Sequence, residues 1–257
     1  MLSFEKFIQK IAKEAGGAVL KRFGKDQVHY QKSAHRIDAV TKADLLSDKI
    51  LVSAIKKAYP EHGIISEESG KVNEAAEYVW ILDPIDGTFN FAFGVPLFGV
   101  MIALAHKGKV ILAAVNMPAT NEFFYAREGR GAFLNGRRIH CSNTRTIVHS
   151  AGYGGSTLRD RAKTFVEKII HSEKAEYMIL GSFNCCANHC YVAAGRRDWI
   201  VSVSGKIWDF APAYLLLKES GCKVTDVNGK PWKLGMLEMV AANPRLHKQL
   251  LKLTKGI

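Results

Sequence analysis

The chain has 257 residues, of which 47% are hydrophobic and 23% are charged. This length allows one large domain or two closely packed small ones, and the composition argues against a disordered, fibrous or membrane-embedded protein. Lysine and arginine number 36 against 24 aspartates and glutamates, so the net charge of +12 raises the question of an anionic partner such as nucleic acid.

The predicted elements begin with two amphipathic helices. Apolar residues recur at helical spacing over residues 4–20 and again over 44–59, where Pro60 ends the second helix. Strand-like runs then follow one another, separated by glycine and polar turns, at 78–82, 97–105, 109–116, 122–127 and 132–135. The first part of the chain is therefore predicted to be rich in antiparallel sheet.

The pattern changes to alternating helices and strands after residue 160. We predict helices over 160–171, 184–194 and 209–220, strands over 176–180 and 198–203, and a last helix starting at Asn243-Pro244. No linker or internal repeat is evident, so we expect an α+β fold with a single domain over 1–257. Its internal halves would lie at about 1–145, rich in antiparallel strands, and 146–257, of α/β type.

Neither a membrane span nor a secretion signal is predicted. No apolar run reaches the roughly 18–20 residues that a spanning helix needs, and charged residues interrupt the apolar positions near the N-terminus. The five cysteines are an odd number without metal-ligand spacing, at positions 141, 185, 186, 190 and 222. We therefore expect reduced thiols, a cytoplasmic location and no membrane partner.

Two aspartates leave the end of a predicted strand together. The segment Trp80-Ile81-Leu82-Asp83-Pro84-Ile85-Asp86-Gly87-Thr88 runs from an apolar strand through a proline turn to a second aspartate. Such a carboxylate pair is costly unless a cation lies between its members, and Mg²⁺ is a natural ion for clustered carboxylate and carbonyl oxygens. For this segment alone, the alternative is an ordinary turn with a solvated aspartate.

Two further segments place acids at the same kind of position. Glu67 and Glu68 follow a short apolar run, and Asp209 lies where a strand gives way to a helix. Rigid elements hold ligands well at such positions. Taken singly, however, the glutamate pair is better explained as a solvated loop and Asp209 as a helix N-cap.

Together and in this order, the segments resemble the inositol monophosphatase family of Mg²⁺-dependent, lithium-sensitive phosphatases. The resemblance is carried by D-P-I-D-G-T at 83–88, E-E-S at 67–69, W-D at 208–209, V-T-K-A-D at 40–44 and the glycine-punctuated stretch at 125–136. It extends over nearly the whole chain. It implies a layered α/β/α/β/α sandwich of the sugar phosphatase (inositol monophosphatase and fructose-1,6-bisphosphatase) type, a phosphoric monoester hydrolase and a homodimer.

The resemblance also implies metal ligands and catalytic residues. Two or three Mg²⁺ ions would bind, the first to Glu67, Asp83 and the Ile85 carbonyl and the second to Asp83, Asp86 and Asp209. Glu67 and Thr88 would orient the attacking water. Asp44 would accept the hydrogen bond of the Thr88 hydroxyl.

The same resemblance implies substrate contacts from Asp86, Gly87, Thr88, Cys185 and Ser202. Lys206 is a further expected contact, which rests on its charge and not on the resemblance. Gly87 permits a close approach of the backbone to phosphate. Ser202 stands where inositol-specific members have an acidic residue that contacts sugar hydroxyls, and a serine cannot supply the charged grip of a carboxylate. Lys206 adds a positive charge that fits a second anionic group on the substrate, and Lys32 lies in a loop that can meet phosphate or an additional metal.

Nearby histidine and cysteine side chains are assigned no chemistry. We expect His189, on the helix at 184–194, to be a satisfied core or surface residue. Cys185 and Cys186 could have a lowered pKa at a helix start, but inert burial is the commoner outcome.

The substrate and a second class of function stay open. Inositol 1-phosphate leads, with fructose 1,6-bisphosphate, histidinol phosphate and a nucleotide 3′-phosphate as alternatives. A non-catalytic protein that binds nucleic acid or an acidic protein would use the basic residues Arg127, Arg130, Arg137, Arg138, Arg145, Arg196 and Arg197. Since no nucleic-acid motif is present and the set of metal-binding residues is intact, catalysis is favoured.

Overall fold

The computed structural model describes residues 2–26, 28–32, 39–154, 160–171 and 179–257. In these parts of the chain the helices are α1 (Phe4–Arg22), α2 (Lys42–Ala58), α3 (Thr88–Ala92), α4 (Asp160–Ile170), α5 (Cys185–Ala193), α6 (Ile207–Glu219) and α7 (Pro244–Thr254). Between α1 and α2, β1 (Val28–Gln31) pairs antiparallel with β2 (Ala39–Thr41). The remaining strands form two sheets.

The larger sheet contains eight strands. They are β3 (Gly63–Ser66), β4 (Gly70–Val72), β5 (Tyr78–Asp86), β6 (Gly99–His106), β7 (Lys109–Met117), β8 (Glu122–Arg127), β9 (Gly131–Leu134) and β10 (Arg137–Ile139). Their order across the sheet is β10-β9-β8-β7-β6-β5-β3-β4. Neighbouring strands are antiparallel except β3 and β5, which are parallel.

The smaller sheet contains five strands. They are β11 (Ala151–Gly154), β12 (Ile179–Gly181), β13 (Trp199–Ser202), β14 (Lys223–Thr225) and β15 (Met239–Ala242), in the order β12-β11-β13-β15-β14. The pairs β11–β12 and β11–β13 are parallel, and the other two pairs are antiparallel. The chain thus passes from a mainly antiparallel sheet to a mixed one between β10 and β11.

Three apolar cores lie between five layers, because the middle core extends over both sides of the central helix layer. Helices α1 and α2 pack on one face of the larger sheet, and the core there includes Ile11, Leu51 and Trp80. The other face packs against α5 and α6, which also cover the inner face of the smaller sheet. Helices α4 and α7 cover its outer face around Phe165 and Trp199. This order confirms the predicted α/β/α/β/α sandwich.

Most predicted helices and strands lie within two residues of their expected bounds. Strand β5 continues to Asp86 instead of ending at 82, because residues beyond 82 remain paired with β6. Helix α6 begins at Ile207, so Asp209 lies in its first turn and is not the N-cap that one reading of the sequence favoured. The strand predicted at 176–180 falls partly outside the described residues. Within the described residues, β12 starts at Ile179.

Among the described helices, none is long and apolar enough to span a bilayer.

The outer core contains a buried histidine that predicts acid sensitivity. His247 Nε2 lies 2.9 Å from Thr225 Oγ1. Desolvation, together with the charge of Lys223, lowers the pKa of His247 to about 4. Because the unfolded chain takes up this proton near pH 6.5 and the folded chain only near pH 4, stability falls as the pH drops between these values.

We expect His247→Gln to reduce this loss by about 1 kcal/mol per pH unit in that window. Urea denaturation of both proteins at several pH values between 4.5 and 6.5 measures the two slopes. Equal slopes would show that His247 does not titrate on unfolding.

Candidate functional site

The candidate site lies at one edge of the larger sheet, where β3 and β5 end side by side. Because the two strands are parallel, their carboxyl ends meet at the same edge. Glu67 follows β3, and its backbone N–H donates to the Leu82 carbonyl at 3.2 Å. This bond holds Glu67 beside the end of β5, next to Asp83.

Asp83 and Asp86 face the same cleft because β5 is irregular between them. Side chains of a regular strand alternate between faces, so residues three apart point to opposite sides. Asp83 pairs with Met101 of β6. Asp86 pairs with Gly99, so three steps along β5 match two along β6, and this bulge returns Asp86 to the side of Asp83. Pro84, which has no N–H to pair, lies within the bulge.

Gly87 links β5 to α3 in a conformation that other residues adopt poorly. Its φ is +84°, and a Cβ at this position would lie 2.4 Å from Asn184 Nδ2 and 3.0 Å from the Leu97 carbonyl oxygen. The lack of a side chain therefore lets the chain turn tightly against the start of α5. There, Asn184 Nδ2 donates to the Asp86 carbonyl at 3.4 Å.

Thr88 and Asp44 form the hydrogen-bonded pair that the family resemblance implied. Asp44 caps α2, where its Oδ2 accepts from the backbone N–H of Thr41 at 2.8 Å and also from the Thr41 hydroxyl. The other carboxylate oxygen, Oδ1, lies 2.8 Å from Thr88 Oγ1, which is also 2.9 Å from the Ile85 carbonyl oxygen. Thr88 is thus fixed in place from two sides.

Helix N-termini hold one oxygen each of Asp86 and Asp209. The backbone N–H of Cys186, in the first turn of α5, donates to Asp86 Oδ2 at 2.7 Å. In the same way, the backbone N–H of Lys206 donates to Asp209 Oδ2 at 2.7 Å at the start of α6. Each carboxylate keeps a second oxygen that can bind another group.

Burial, and then repulsion between neighbouring acids, disfavours the charged forms of these acids. Asp83 is 1% exposed, and its Oδ1 has no hydrogen-bond partner among the described residues. Desolvation, followed by the charges of Glu67, Asp86 and Asp209, raises its pKa well above the usual value. Desolvation likewise raises the pKa of Asp86 to about 6 and, with repulsion from Asp86, that of Asp209 to about 8.

Lys32 neutralises part of this negative charge at the edge of the cleft. Its ammonium nitrogen lies 2.9 Å from Glu67 Oε1 and 2.7 Å from Glu68 Oε1. Although desolvation opposes protonation, these two hydrogen bonds raise the pKa of Lys32 above its usual value. The Glu68 side chain is largely buried and forms an ion pair with Lys32, which fits a structural role for this acid.

The donor set fits a hard divalent cation. It consists of carboxylate oxygens and the Ile85 carbonyl, including the buried Asp83 Oδ1 that has no other partner. Possible ligand atoms of Asp86, Cys185 and Asp209 also lie within 4.8 Å of one another. Desolvation and the nearby aspartates raise the pKa of Cys185, so its thiol keeps its proton and binds a metal poorly. Oxygen ligands of this kind suit Mg²⁺.

The structure gathers most of the sequence-predicted residues around one cleft of about 280 Å³. The cleft is lined by Glu67, Asp83, Ile85, Asp86, Gly87, Thr88, Cys185, Lys206 and Asp209, with Lys32 at its edge. Asp44 lies behind Thr88. Ser202 does not line this cleft and borders a smaller adjoining chamber instead. Sequence reasoning did not single out Asn184 as the residue that packs against Gly87 and bonds Asp86.

The helix beside the cleft contains one departure from expectation. Desolvation raises the pKa of both Cys185 and Cys186, so the lowered pKa that a helix start could cause is not found. His189 lies in the core, but it is not fully satisfied, since its Nε2 is buried without a hydrogen-bond partner among the described residues. Desolvation lowers the pKa of His189 to about 4, so its ring is neutral.

The fold is shared with solved structures of known proteins. The IMPase of Thermotoga maritima is 32% identical with a TM-score of 0.85, over 97% of this chain and 95% of that chain. The extragenic suppressor protein suhB of Bartonella henselae is 30% identical with a TM-score of 0.88, over 98% of both chains. These neighbours place the chain among the proteins of inositol monophosphatase fold.

Sequence comparisons assign the family. A profile of the inositol monophosphatase family matches residues 2–257. A fructose-1,6-bisphosphatase/inositol-1-monophosphatase of Thermotoga maritima is 33% identical over 98% of this chain and 95% of its own length. A putative Nus factor SuhB of Neisseria meningitidis is 37% identical over 95% of both chains. The chain belongs to the inositol monophosphatase family, as the motifs indicated.

The crowding of the acids predicts how metal binding and stability are coupled. We expect Mg²⁺ to raise the melting temperature of the wild-type protein at pH 8, because a cation offsets the repulsion around Asp83. Asp83→Asn should raise the melting temperature in EDTA by a few degrees, since it removes one buried charge, and should abolish most of the Mg²⁺ effect. Differential scanning calorimetry measures both.

Asp198→Asn serves as the control for this experiment. Asp198 accepts hydrogen bonds at both oxygens, from Thr144 Oγ1 at 2.6 Å and from the backbone N–H of Ala151 at 2.7 Å. Its replacement should lower the melting temperature and keep the response to Mg²⁺. A lower melting temperature of Asp83→Asn in EDTA would contradict the electrostatic account.

Proposed function

We propose that the protein is a Mg²⁺-dependent phosphomonoesterase that hydrolyses small phosphorylated polyols or sugars, with inositol 1-phosphate as the leading substrate. The observation that carries this proposal is the buried Asp83 carboxylate, with an unpaired oxygen, among acids at the bottom of an open cleft. A cluster of this kind needs cations, and cations that hold phosphate oxygens suit phosphoryl transfer. Family membership supports the same reaction class.

The chain offers ligands for two ions. Glu67, Asp83 and the Ile85 carbonyl would hold one Mg²⁺, and Asp83, Asp86 and Asp209 would hold another. The Ile85 carbonyl can serve both Thr88 and a metal, because a carbonyl oxygen has two lone pairs. Bound Mg²⁺ would lower the pKa of a coordinated water and neutralise charge on the phosphate.

Glu67, Thr88 and Asp44 would orient the attacking water. Asp44 Oδ1 accepts a hydrogen bond from the Thr88 hydroxyl, which leaves a lone pair of Thr88 Oγ1 to accept one from water. Glu67, at the end of β3, would accept the second hydrogen bond of that water. The two residues together would fix its direction of attack on phosphorus.

Backbone amides would bind the phosphate. Gly87 and Thr88 line the cleft at the start of α3, and the missing Cβ of Gly87 permits close approach. Since α3 has only five residues, we assign this role to the individual N–H groups and not to a helix dipole. Lys32 is bound to Glu67 and Glu68, so its role is to balance their charge.

The choice of substrate depends on residues around the phosphate site. Lys206 is exposed at the rim of the cleft, where it would meet a second anionic group. The Thermotoga relative is named as both a fructose-1,6-bisphosphatase and an inositol-1-monophosphatase, which supports inositol 1-phosphate and fructose 1,6-bisphosphate as candidate substrates. Histidinol phosphate and a nucleotide 3′-phosphate are the further alternatives.

We also propose that the protein is a homodimer and that it lies in the cytoplasm, where its five free thiols would stay reduced.

The main test is phosphate release from these four substrates with Mg²⁺ and with EDTA. Thr88→Ala should lower kcat by about 10²-fold, because the water is then oriented from one side only. Thr120→Ala, at a turn outside the cleft, is the matched control and should keep wild-type activity. Chelator-insensitive hydrolysis, or wild-type activity of Thr88→Ala, would contradict the proposed mechanism.

Lys206 gives a separate prediction about substrate preference. Lys206→Ala removes the rim cation, so kcat/KM for fructose 1,6-bisphosphate should fall relative to inositol 1-phosphate by about 10-fold. Steady-state kinetics on both substrates measures this ratio. An unchanged ratio would show that Lys206 does not contact a second phosphate.

A second candidate function is the binding of a macromolecular partner, which the name of the SuhB relative as a putative Nus factor favours. The basic surface is smaller than the sequence suggested, because Arg127 pairs with Glu5 and Arg196 with Glu122. Arg137 and Arg138 are exposed and form no ion pair with described residues. Strongly salt-dependent binding of RNA, without turnover of any ester, would favour this role.

A further inference from the structure

The buried face of α2 is polar in its first two turns and apolar further along. Asp44, Ser47 and Asp48 lie at positions i, i+3 and i+4, so their side chains share one face of the helix. All three are at most 7% exposed. Leu51 and Ile55 continue the buried side of α2 into the core against the larger sheet. The polar part of this face therefore lies against the end of the sheet that carries the candidate site.

Asp48 binds the turn that carries Glu67. Its Oδ1 accepts a hydrogen bond from the Ser66 hydroxyl, and its Oδ2 accepts one from the Ser69 hydroxyl. Ser66 ends β3 and pairs with Gly70 at the start of β4, so Glu67 lies in the three-residue turn between these strands. The two serines stand on either side of Glu67, and Asp48 thus holds the turn at both of its ends.

The turn needs such support because repulsion acts on it at the edge of the sheet. Beyond the turn, β4 has three exposed residues and is the last strand of the sheet, so it pairs on one side only. After desolvation, the charge of Glu67 is the next cause that raises the pKa of Asp83, so these two carboxylates repel each other. Hydrogen bonds to Asp48, on a helix that is packed in the core, oppose a movement of Glu67 away from Asp83.

Ser47 binds the bulge of β5 at its centre. Its hydroxyl donates to the Pro84 carbonyl oxygen at 2.8 Å. Pro84 is buried and lies between Asp83 and Asp86, where the pairing of β5 with β6 is interrupted. A buried carbonyl in such a place needs a donor from elsewhere. By supplying one, Ser47 fixes the peptide that precedes Ile85, whose own carbonyl is a proposed metal ligand.

The ligands of the two proposed ions are thus held by different helices. Glu67 and the Ile85 carbonyl would bind the first ion only, and both depend on α2. Asp86 and Asp209 would bind the second ion only, and backbone N–H groups at the starts of α5 and α6 hold them. Asp83 would be shared by both ions. A change in α2 should therefore affect one ion more than the other.

We propose that Ser47 and Asp48 are positioning residues for the ion that Glu67 and the Ile85 carbonyl would bind. This inference rests on the proposed function, and it concerns the metal site alone. Neither side chain lines the cleft, so each acts through the residues that it binds and not by contact with metal or substrate. Loss of such an outer partner lowers metal affinity by about 10- to 100-fold in many metal sites.

Asp48→Ala and Asp48→Asn separate positioning from charge. The measurement is calorimetric binding of Mn²⁺ alone, in the absence of substrate. Asp48→Ala removes both hydrogen bonds, so we expect the Kd of one of the two ions to rise about 10-fold. Asparagine has no charge but can accept from one serine and donate to the other, so Asp48→Asn should keep Kd values near those of the wild type. Equal Kd values for the two variants, or an unchanged Kd in Asp48→Ala, would overturn the proposal.

Diffraction from Mn²⁺-soaked crystals of Asp48→Ala identifies the ion that is weakened. The Mn²⁺ concentration is one that fills both sites in crystals of the wild-type protein. We expect the anomalous peak beside Glu67 to fall relative to the peak between Asp86 and Asp209. A general loosening of the site would lower both peaks equally, and that result would overturn the proposal.

Asp198→Ala is the matched control for Asp48→Ala. Asp198 also accepts hydrogen bonds at both carboxylate oxygens, and it does not line the cleft. Its replacement should lower the melting temperature and leave both Kd values for Mn²⁺ unchanged. A 10-fold rise of one Kd in this variant would show that lost stability alone weakens metal binding, and it would overturn the proposal.

Ser47→Ala tests the contact with the bulge. It leaves the Pro84 carbonyl without its donor, so the Kd of the same ion should rise about 3–10-fold. Ser220→Ala is its control, because Ser220 is also buried and donates to a backbone carbonyl, that of Leu217 at 2.8 Å. The control should keep both Kd values. An unchanged Kd in Ser47→Ala would overturn the role of Ser47.

A milder variant covers the case in which Asp48→Ala does not fold, as judged by circular dichroism. Ser69 is exposed at the far side of the turn, and Ser69→Ala removes one of the two hydrogen bonds to Asp48. The Kd of the ion at Glu67 should then rise about 3-fold, since one hydrogen bond is retained. An unchanged Kd would overturn the role of Asp48.

A failure of the proposed function can be distinguished from a failure of this inference, because Mn²⁺ binding is measured without a reaction. If the wild-type protein binds two Mn²⁺ ions but hydrolyses no ester, the phosphatase proposal fails, and the Kd values of the variants still decide the roles of Ser47 and Asp48. If the wild-type protein binds no Mn²⁺ at Asp83, the metal site and this inference are both overturned.

Discussion

The mutual repulsion of buried carboxylates is the constraint on which this site depends. Asp44, Asp83 and Asp86 are buried at one edge of a sheet, where desolvation raises the pKa of each. Backbone N–H groups at the starts of α2, α5 and α6 bind one carboxylate oxygen each of Asp44, Asp86 and Asp209. The oxygens left over face a cleft, which is an arrangement that a divalent cation stabilises.

The region around the proposed phosphate site divides into a charged part and a largely neutral part. The charged part comes from β3, β5 and the first turn of α6, with Lys32 and Lys206 at its edges. The largely neutral part is the smaller chamber between β11, α5, β13 and α6, where Asp209 is the one charged side chain among the described lining residues.

The sequence allowed much of this site to be predicted because its acids lie in short segments. Asp83 and Asp86 are three residues apart, and the motif that contains them identified both the family and the end of a strand. The sequence did not reveal that β5 continues through the motif, because the bulge that aligns the two aspartates depends on pairing with β6. The layered order of helices and sheets followed from the family resemblance. Short strands such as β10 and β14 were not predicted, because three residues carry little periodic signal.

The chamber could not be predicted from local pattern. Tyr153 lies between two glycines on a four-residue strand, and His189 is one polar residue on a largely apolar helix. Each is unremarkable alone, and only the fold brings both residues to the lining of one chamber. His189 lies in the core, as one of its two expected placements, but its Nε2 has no hydrogen-bond partner among the described residues. Ser202, by contrast, was predicted as a substrate contact and lines the chamber and not the cleft.

The central claim is that the acids around Asp83 form a divalent cation site. Diffraction from crystals soaked in Mn²⁺, collected with anomalous scattering, tests it most directly, because Mn²⁺ accepts the same oxygen ligands as Mg²⁺ and is visible by its own signal. The account predicts two anomalous peaks within bonding distance of Asp83, one shared with Glu67 and the other with Asp86 and Asp209. Crystals that bind Mn²⁺ elsewhere on the protein but show no peak at Asp83 would contradict it.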